Sequence, residues 1–286
     1  MEISLNQKIS VKLNEMADIL EQQSANPFRI RAYRRAADTL STLEDDIGQM
    51  LERKGQEGLI ALPNIGKGIA ASIAEMAATG RWAQLDRLRG SLDPVHLFQA
   101  VPGIGPDLAR RIHDDLHLDT LEALETAAYD GRLEGVRGMG MRRISGLQAS
   151  LSSLLARPRM RRSYVPLDGP SVALLLDIDR IYLEKTVAGE LPLIAPRRFN
   201  PAGIAWLPVL HLEKGEWHFT AMYSNTARAH QLDKTRDWVV VYFYDQHHQE
   251  GQHTIVTETH GPLLGRRVVR GREEACRDNY ADSGQR

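Results

Sequence analysis

Three short stretches carry the residue types best spaced for chemistry. LPNIGKGIA at 62–70 and VPGIGPDLA at 101–109 share an apolar residue, a turn of Pro with Asn or Gly, a second glycine and a helix start. VRGMGMRRI at 136–144 is a looser third copy. Gly66, Gly68, Gly103, Gly105, Gly138 and Gly140 let a backbone approach a ligand with no Cβ in the way. The first N–H groups of a helix have no internal acceptor, and the helix dipole adds partial positive charge there. A phosphate oxygen satisfies both. Lys67 offers a second chemistry, because an uncharged amine can attack a carbonyl and form an imine. One such turn alone reads equally well as a tight corner between two helices. The first two copies lie 39 positions apart and match at Leu62/Val101, Ile65/Ile104 and Ala70/Ala109, which marks a repeated hairpin. Asn64 and Lys67 stand in the first hairpin, Arg110 follows the second, and Arg142 and Arg143 follow the third, where each can meet a backbone phosphate.

Other candidates are weaker. Asp177-Ile-Asp179 resembles a metal-binding D-x-D pair, but its surroundings, VALLLDIDRIYLEKTVAG, have a helical pattern. At i, i+2 on a surface helix two carboxylates diverge and cannot share a metal. Seven of the ten histidines fall at 211, 218, 230, 247, 248, 253 and 260, with no H-x-x-x-H pair or HExxH, and read as scattered surface residues. APRRFNP at 195–201 and GRRVVRGR at 265–272 hold six arginines and Phe199; they read either as phosphate contacts or as charged strand edges. No G-x-x-x-x-G-K-[ST] loop occurs.

The elements that must position the turns are helical. Ile9, Leu13, Met16, Ala17 and Leu20 recur at helical spacing, and Asn26-Pro27 opens a second helix through 29–43. Further helices are expected at 67–79, 81–90, 106–115, 119–128 and 142–155. RPRMRRSYVPLDGP at 157–170 has three prolines and four arginines and reads as a linker before a helix at 171–188. With Arg137, Arg142 and Arg143, the arginines at 157, 159, 161 and 162 form a basic strip set against Glu134 alone. Beyond about 204 the period becomes two, with Trp217, Phe219, Ala221 and Tyr223 on one face, and DWVVVYFYD and HTIVTET continue in β-favouring residues. The polar last dozen residues are expected to fray. The fold class is therefore α+β: an all-helical N-terminal half with tandem hairpins, then a small β-rich domain.

Composition narrows the classes. The 286 residues are 42% apolar and 26% charged, with a net charge of −1, so anion contacts must come from local patches. Cys276 stands alone, which excludes a disulfide framework and suits a reducing compartment. The charged N-terminal segment reads as neither a signal peptide nor a membrane span, and the expected location is cytoplasmic, with no membrane partner.

NPFRIRAYRRAADTL, LPNIGKGIAASIAEMAATG and VPGIGPDLARRIHDDL together resemble the N-terminal half of family X, polymerase beta-like DNA polymerases, over roughly residues 8–155. The resemblance implies a lyase-like helical domain at 1–85 and a helix-hairpin-helix domain at 86–157, leaving a basic linker and helix at 158–200 and a β-rich domain at 201–275. It implies DNA as the partner, as gapped, nicked or 5′-phosphorylated duplex. A repair protein docking on the C-terminal domain is a further expectation. No cofactor is required, although the resemblance implies Na+ or K+ on the carbonyls of Ile60, Leu62 and Ile65 and of Gln99, Val101 and Ile104. The family's 5′-phosphate pocket corresponds to Arg29 and Tyr33, within a basic run that includes Arg31 and Arg35. Its imine-forming lysine corresponds to Ser72, a second lysine to Gly68 and a glutamate to Ala71. The Gly-Ser element that opens the family's palm does not precede Asp177. The expected function is sequence-independent gripping of DNA backbone in repair, without polymerase activity. The alternative is an abasic-site lyase using Lys67, or an enzyme with its site in the C-terminal domain.

Overall fold

The computed structural model describes residues 4–90, 94–155, 169–244 and 251–283. The described residues form two compact units, a helical one that runs through residue 155 and a sheet unit that begins by residue 169.

The helical unit opens with α1 (Leu5–Gln22), started by a capping box in which Ser4 Oγ accepts from Gln7 N and the Gln7 side chain accepts from Ser4 N. Its Ile9, Leu13, Met16, Ala17 and Leu20 are buried as their spacing requires. Asn26 caps α2 (Pro27–Thr42), with proline at the first helical position. Asp46 caps α3 (Ile47–Ile60), and α4 (Lys67–Thr79) packs against it. Asn6 ties the entry to α3 by donating to the carbonyls of Leu43 and Asp45 and accepting from Ile47 N. Then follow α5 (Ala83–Leu88), α6 (Pro94–Phe98), α7 (Pro106–Leu116), α8 (Leu121–Tyr129), a short 3-10 turn over Arg132–Gly135, and α9 (Met141–Leu154). Phe98, Val101, Ile104, Leu108, Ile112, Leu121, Leu124, Met139, Ile144, Leu147 and Leu151 share one core, so the second and third hairpins are built on a common apolar interior.

The sheet unit is an antiparallel meander of β1 (Leu193–Ile194), β2 (Leu207–Lys214), β3 (Trp217–Tyr223), β4 (Val239–Tyr244), β5 (Gly251–Thr257) and β6 (Arg267–Val269) in sequential order. The helix α10 (Val172–Val187), preceded in chain order by the helical unit, packs on β3, β4 and β6. The segment read as linker and helix thus gives its helix to the sheet unit, and β1 lies before residue 201. The short α11 (Ala227–Gln231) follows β3, and α12 (Glu273–Ser283) follows β6. Tyr182 joins helix to sheet: its ring meets Tyr223 edge-on at 5.1 Å, and its hydroxyl donates to Pro208 O and accepts from Tyr223 N.

Two expectations are corrected. The C-terminal residues do not fray through 283: α12 holds Cys276 buried, its sulfur accepting from Val269 N at 3.3 Å, and Tyr280 donates to Arg267 O at 2.8 Å. The periodicity also missed α3, because IGQMLERKGQEGLI buries only Ile47, Gly58 and Leu59 and breaks at Gly55 (φ 60°, ψ −156°). No helix among the described residues is long and apolar enough to cross a membrane.

Candidate nucleic-acid interface

The three glycine turns have one backbone geometry. Each begins with an apolar residue whose carbonyl accepts from the residue three positions on: Ile65 N to Leu62 O at 3.4 Å, Ile104 N to Val101 O at 3.1 Å and Met139 N to Val136 O at 3.0 Å. Between them stands one left-handed residue, Asn64 (φ 61°), Gly103 (φ 89°) or Gly138 (φ 95°). Asn64 is among the non-glycine residues that enter that region most readily, and its side chain is held by a hydrogen bond to Thr39 Oγ1 on α2 at 3.2 Å. At Gly138 a Cβ would also lie 3.4 Å from the Arg111 guanidinium. The following apolar residue, Ile65, Ile104 or Met139, is buried and anchors the turn. The third copy is thus a hairpin turn of the same build as the others.

The helices begin on Gly66, Gly105 and Gly140, all extended at φ −83°, −86° and −103°. Any residue can adopt that backbone, and a Cβ on any of the three would meet nothing within 4 Å. The chain itself therefore makes no steric demand for glycine there, although glycine is a better N-cap than alanine. None of the three helix starts has a side-chain cap, whereas Ser4, Asn26, Asp46 and Thr120 cap α1, α2, α3 and α8. The first-turn amides of α4 have no acceptor within their own helix; in α7 Pro106 brings no N–H, and in α9 Arg143 N already bonds to Gly140 O at 2.9 Å, which leaves fewer open amides at the second and third turns. The surroundings differ. Exposed Lys67 opens α4, Pro106 and Asp107 open α7, and exposed Met141, Arg142 and Arg143 open α9. Asp107 pairs with Arg110 at 3.2 Å, which places negative charge at the second turn alone. Arg143 donates to Gly138 O and Arg111 to Arg137 O, both at 2.6 Å, so two guanidinium groups brace the third turn. Arg111 was missed by sequence reasoning, which has no signal for a side chain reaching 26 positions along the chain.

On α2 the residues aligned with a phosphate pocket separate. Tyr33 is buried, edge-on to Trp82 at 5.6 Å, and its hydroxyl donates to Gln84 at 3.3 Å. The Arg29 guanidinium lies 5.8 Å from the Tyr33 ring centre. Arg31 and Arg35 are exposed, with Arg31 over the exposed ring of Phe28 at 4.7 Å. Arg34 pairs with Asp18 and Glu21 of α1. Ser72 donates to Gly68 O of its own helix, and Gly68 and Ala71 are half-buried beside it. Of the cation-site carbonyls, those of Leu62 and Val101 each accept their turn bond; Ile60 ends α3, and Gln99 follows α6.

Asp177 and Asp179 lie on α10 as expected, but Asp179 is not a surface residue. It is 1% exposed, and Arg267 donates to both its oxygens, at 2.7 and 2.8 Å, while also reaching Asp237 at 2.7 Å. Burial pushes the Asp179 carboxyl above its usual range, and Arg267 opposes that. Asp177 instead pairs with Lys214 and Arg180, which hold it below that range. Each carboxylate is engaged with its own cation, so the pair does not face a shared metal. Among the described residues no group of three or more His, Cys, Asp or Glu is placed to hold a metal. Arg157, Arg159, Arg161, Arg162, His247 and His248 lie outside the described residues.

The fold is α+β, and its N-terminal region is of the helix-hairpin-helix class: residues 4–82 match the family model described as "Helix-hairpin-helix domain". Over 130 residues, 45% of the chain, the sequence is 26% identical to the "DNA polymerase/3'-5' exonuclease PolX" of Bacillus subtilis (strain 168). That match spans 22% of the relative's length.

Proposed function

We propose that this chain binds DNA without regard to sequence, gripping backbone phosphates with the amides of its three hairpin turns. The observation that carries the reading is the trio of uncapped helix starts on Gly66, Gly105 and Gly140, where the fold has room for a side chain and none is present. A strand of phosphates supplies acceptors for those amides, and a bare Cα lets the strand come close. Lys67, Arg142 and Arg143 add charge at the first and third turns, and Asn64, Gly68, Gly103, Gly138 and Arg110 complete the surface. The resemblance to a PolX region supports a repair setting with gapped, nicked or 5′-phosphorylated duplex, and Arg29, Arg31, Tyr33 and Arg35 lie on the helix that would meet such an end. Na+ or K+ on the turn carbonyls would steady the grip. The reading includes no polymerase activity, since Asp177 and Asp179 each serve an ion pair, and no imine chemistry at Ser72, whose side chain is an alcohol.

Titration of the full chain against two gapped duplexes of unrelated sequence tests this. Three turns at about two phosphates each correspond to a loss of roughly 10³-fold in affinity from ~50 to ~200 mM salt, equal for both sequences. Binding that ignores salt, or follows sequence, would overturn it. Borohydride trapping on abasic duplex is expected to give no adduct.

A further inference from the structure

The two arginine-rich segments of the sheet unit have different fates. In 265–272, Arg266 covers Tyr280, Arg267 joins Asp179 and Asp237, Arg270 pairs with Glu258, and Arg272 donates to Pro170 O. Those arginines serve the fold. In the loop between β1 and β2, Arg197 is exposed, and no carboxylate among the described residues pairs with Arg197, Arg198 or, on α11, Arg228. Beside them Phe199 is 48% exposed, although its backbone is left-handed (φ 55°), an unfavourable region for a residue with a Cβ.

That ring is held rather than loose. The His230 ring lies 4.4 Å from it with a 38° tilt, and the Arg198 guanidinium is 5.2 Å from its centre. Asn225 links the two supports: its Nδ2 donates to Arg198 O at 3.2 Å, and its Oδ1 lies 2.7 Å from His230 Nε2. Asn200 fixes the next turn by exchanging two hydrogen bonds with Ile204, at 2.8 and 3.1 Å. Burial, and then the charge of Arg198, keep His230 below the usual imidazole range, so at neutral pH it supports Phe199 as an uncharged ring.

We propose that Phe199 is a stacking platform for an unpaired DNA base, a second nucleic-acid contact carried by the sheet unit. An aromatic face accepts any base, and adjacent unpaired arginines meet the flanking phosphates. A base taking the place of the Arg198 head group would lie on the Phe199 ring, itself backed by His230, and leave that guanidinium free for the same nucleotide's phosphate. The choice of DNA as the polymer rests on the proposed role of the hairpins.

The test uses the full chain, a single-stranded oligonucleotide containing 2-aminopurine, and a fully paired duplex. The wild type is expected to bind the single strand and quench the 2-aminopurine. Phe199→Ala should weaken single-strand binding by about ten- to a hundredfold, with no comparable loss on paired duplex, and Phe199→Trp should keep the quenching. Melting curves accompany each variant, and Phe199→Leu, which keeps the apolar bulk without the π face, should fail like alanine. A wild type that does not bind single strands, or a Phe199→Leu variant that binds and quenches like wild type, overturns the inference. Duplex binding alone would leave the hairpin reading intact and refute this one; single-strand quenching without duplex binding would do the reverse.

Discussion

In the helical unit, the polar groups that stand out are the ones its own chain leaves open. Four of its helices begin under side-chain caps, while the three hairpin helices begin on bare glycines with open space around them. In the sheet unit, the conspicuous polar residues are consumed internally. Asp179, Arg267, Asp237 and Thr257 form one half-buried network, and the Tyr182 hydroxyl both donates and accepts within the fold. A D-x-D pair that looks like a metal site is an anchor for arginine and lysine, whereas the glycine turns start their helices without a side-chain cap. Satisfaction within the chain is what separates structure from an interface.

Breaking the sheet unit's interior should have the largest effect. Asp179→Leu leaves Arg267 without its main buried partner and is expected to cost about 3–5 kcal/mol in urea unfolding, with partial recovery on adding Arg267→Met. Tyr182→Phe strands Tyr223 N and should cost roughly 1–3 kcal/mol by the same assay. In the helical unit the contrast lies within each turn. Gly103→Ala or Gly138→Ala forces a Cβ into left-handed backbone and should cost about 1–2 kcal/mol, whereas Gly105→Ala or Gly140→Ala meets no clash and should cost only the N-cap preference for glycine over alanine, about 0.5–1 kcal/mol. The smallest effect is a pH dependence. Lys214 and Arg180 depress Asp177; for Asp237, hydrogen bonds from Thr257 and the Arg267 charge outweigh burial; bonds from Thr259 and His260 and the Arg270 charge depress Glu258. Depressed carboxylates stabilise the fold above their ordinary range and lose that contribution as pH falls through their folded values. The sheet unit should therefore weaken below about pH 4, with Asp179 acting in the opposite direction because its raised value favours the protonated fold. Asp177→Asn should reduce that acid sensitivity in a fluorescence-monitored titration.

Much of the helical unit was legible because its signals are local: Asn26-Pro27 starts a helix by its own geometry, and the apolar positions 62, 65 and 70 recur at 101, 104 and 109. The backbone of the candidate turns was legible for the same reason, since helix starts and turns are set within a few residues. What escaped depends on distant partners. Helix α3 buries too few side chains to show a period, and α12 is ordered by Cys276 against Val269 and Tyr280 against Arg267. The burial of Asp179 is set by a residue 88 positions away. The support of Phe199 by His230 joins a loop to the short helix α11, and the two share no sequence pattern.

The central claim is that the glycines at the helix starts serve a ligand and not the fold. The direct measurement is a comparison of the Gly66→Ala, Gly105→Ala and Gly140→Ala variant with wild type, recording urea unfolding and affinity for gapped duplex at one salt concentration. The account predicts a variant that still folds cooperatively, losing only the roughly 0.5–1 kcal/mol per site that alanine costs at an N-cap, with affinity lowered by about an order of magnitude or more, less of the loss arising at Gly105, where Asp107 already opposes an anion. A variant that folds cooperatively and binds as tightly as wild type would contradict it.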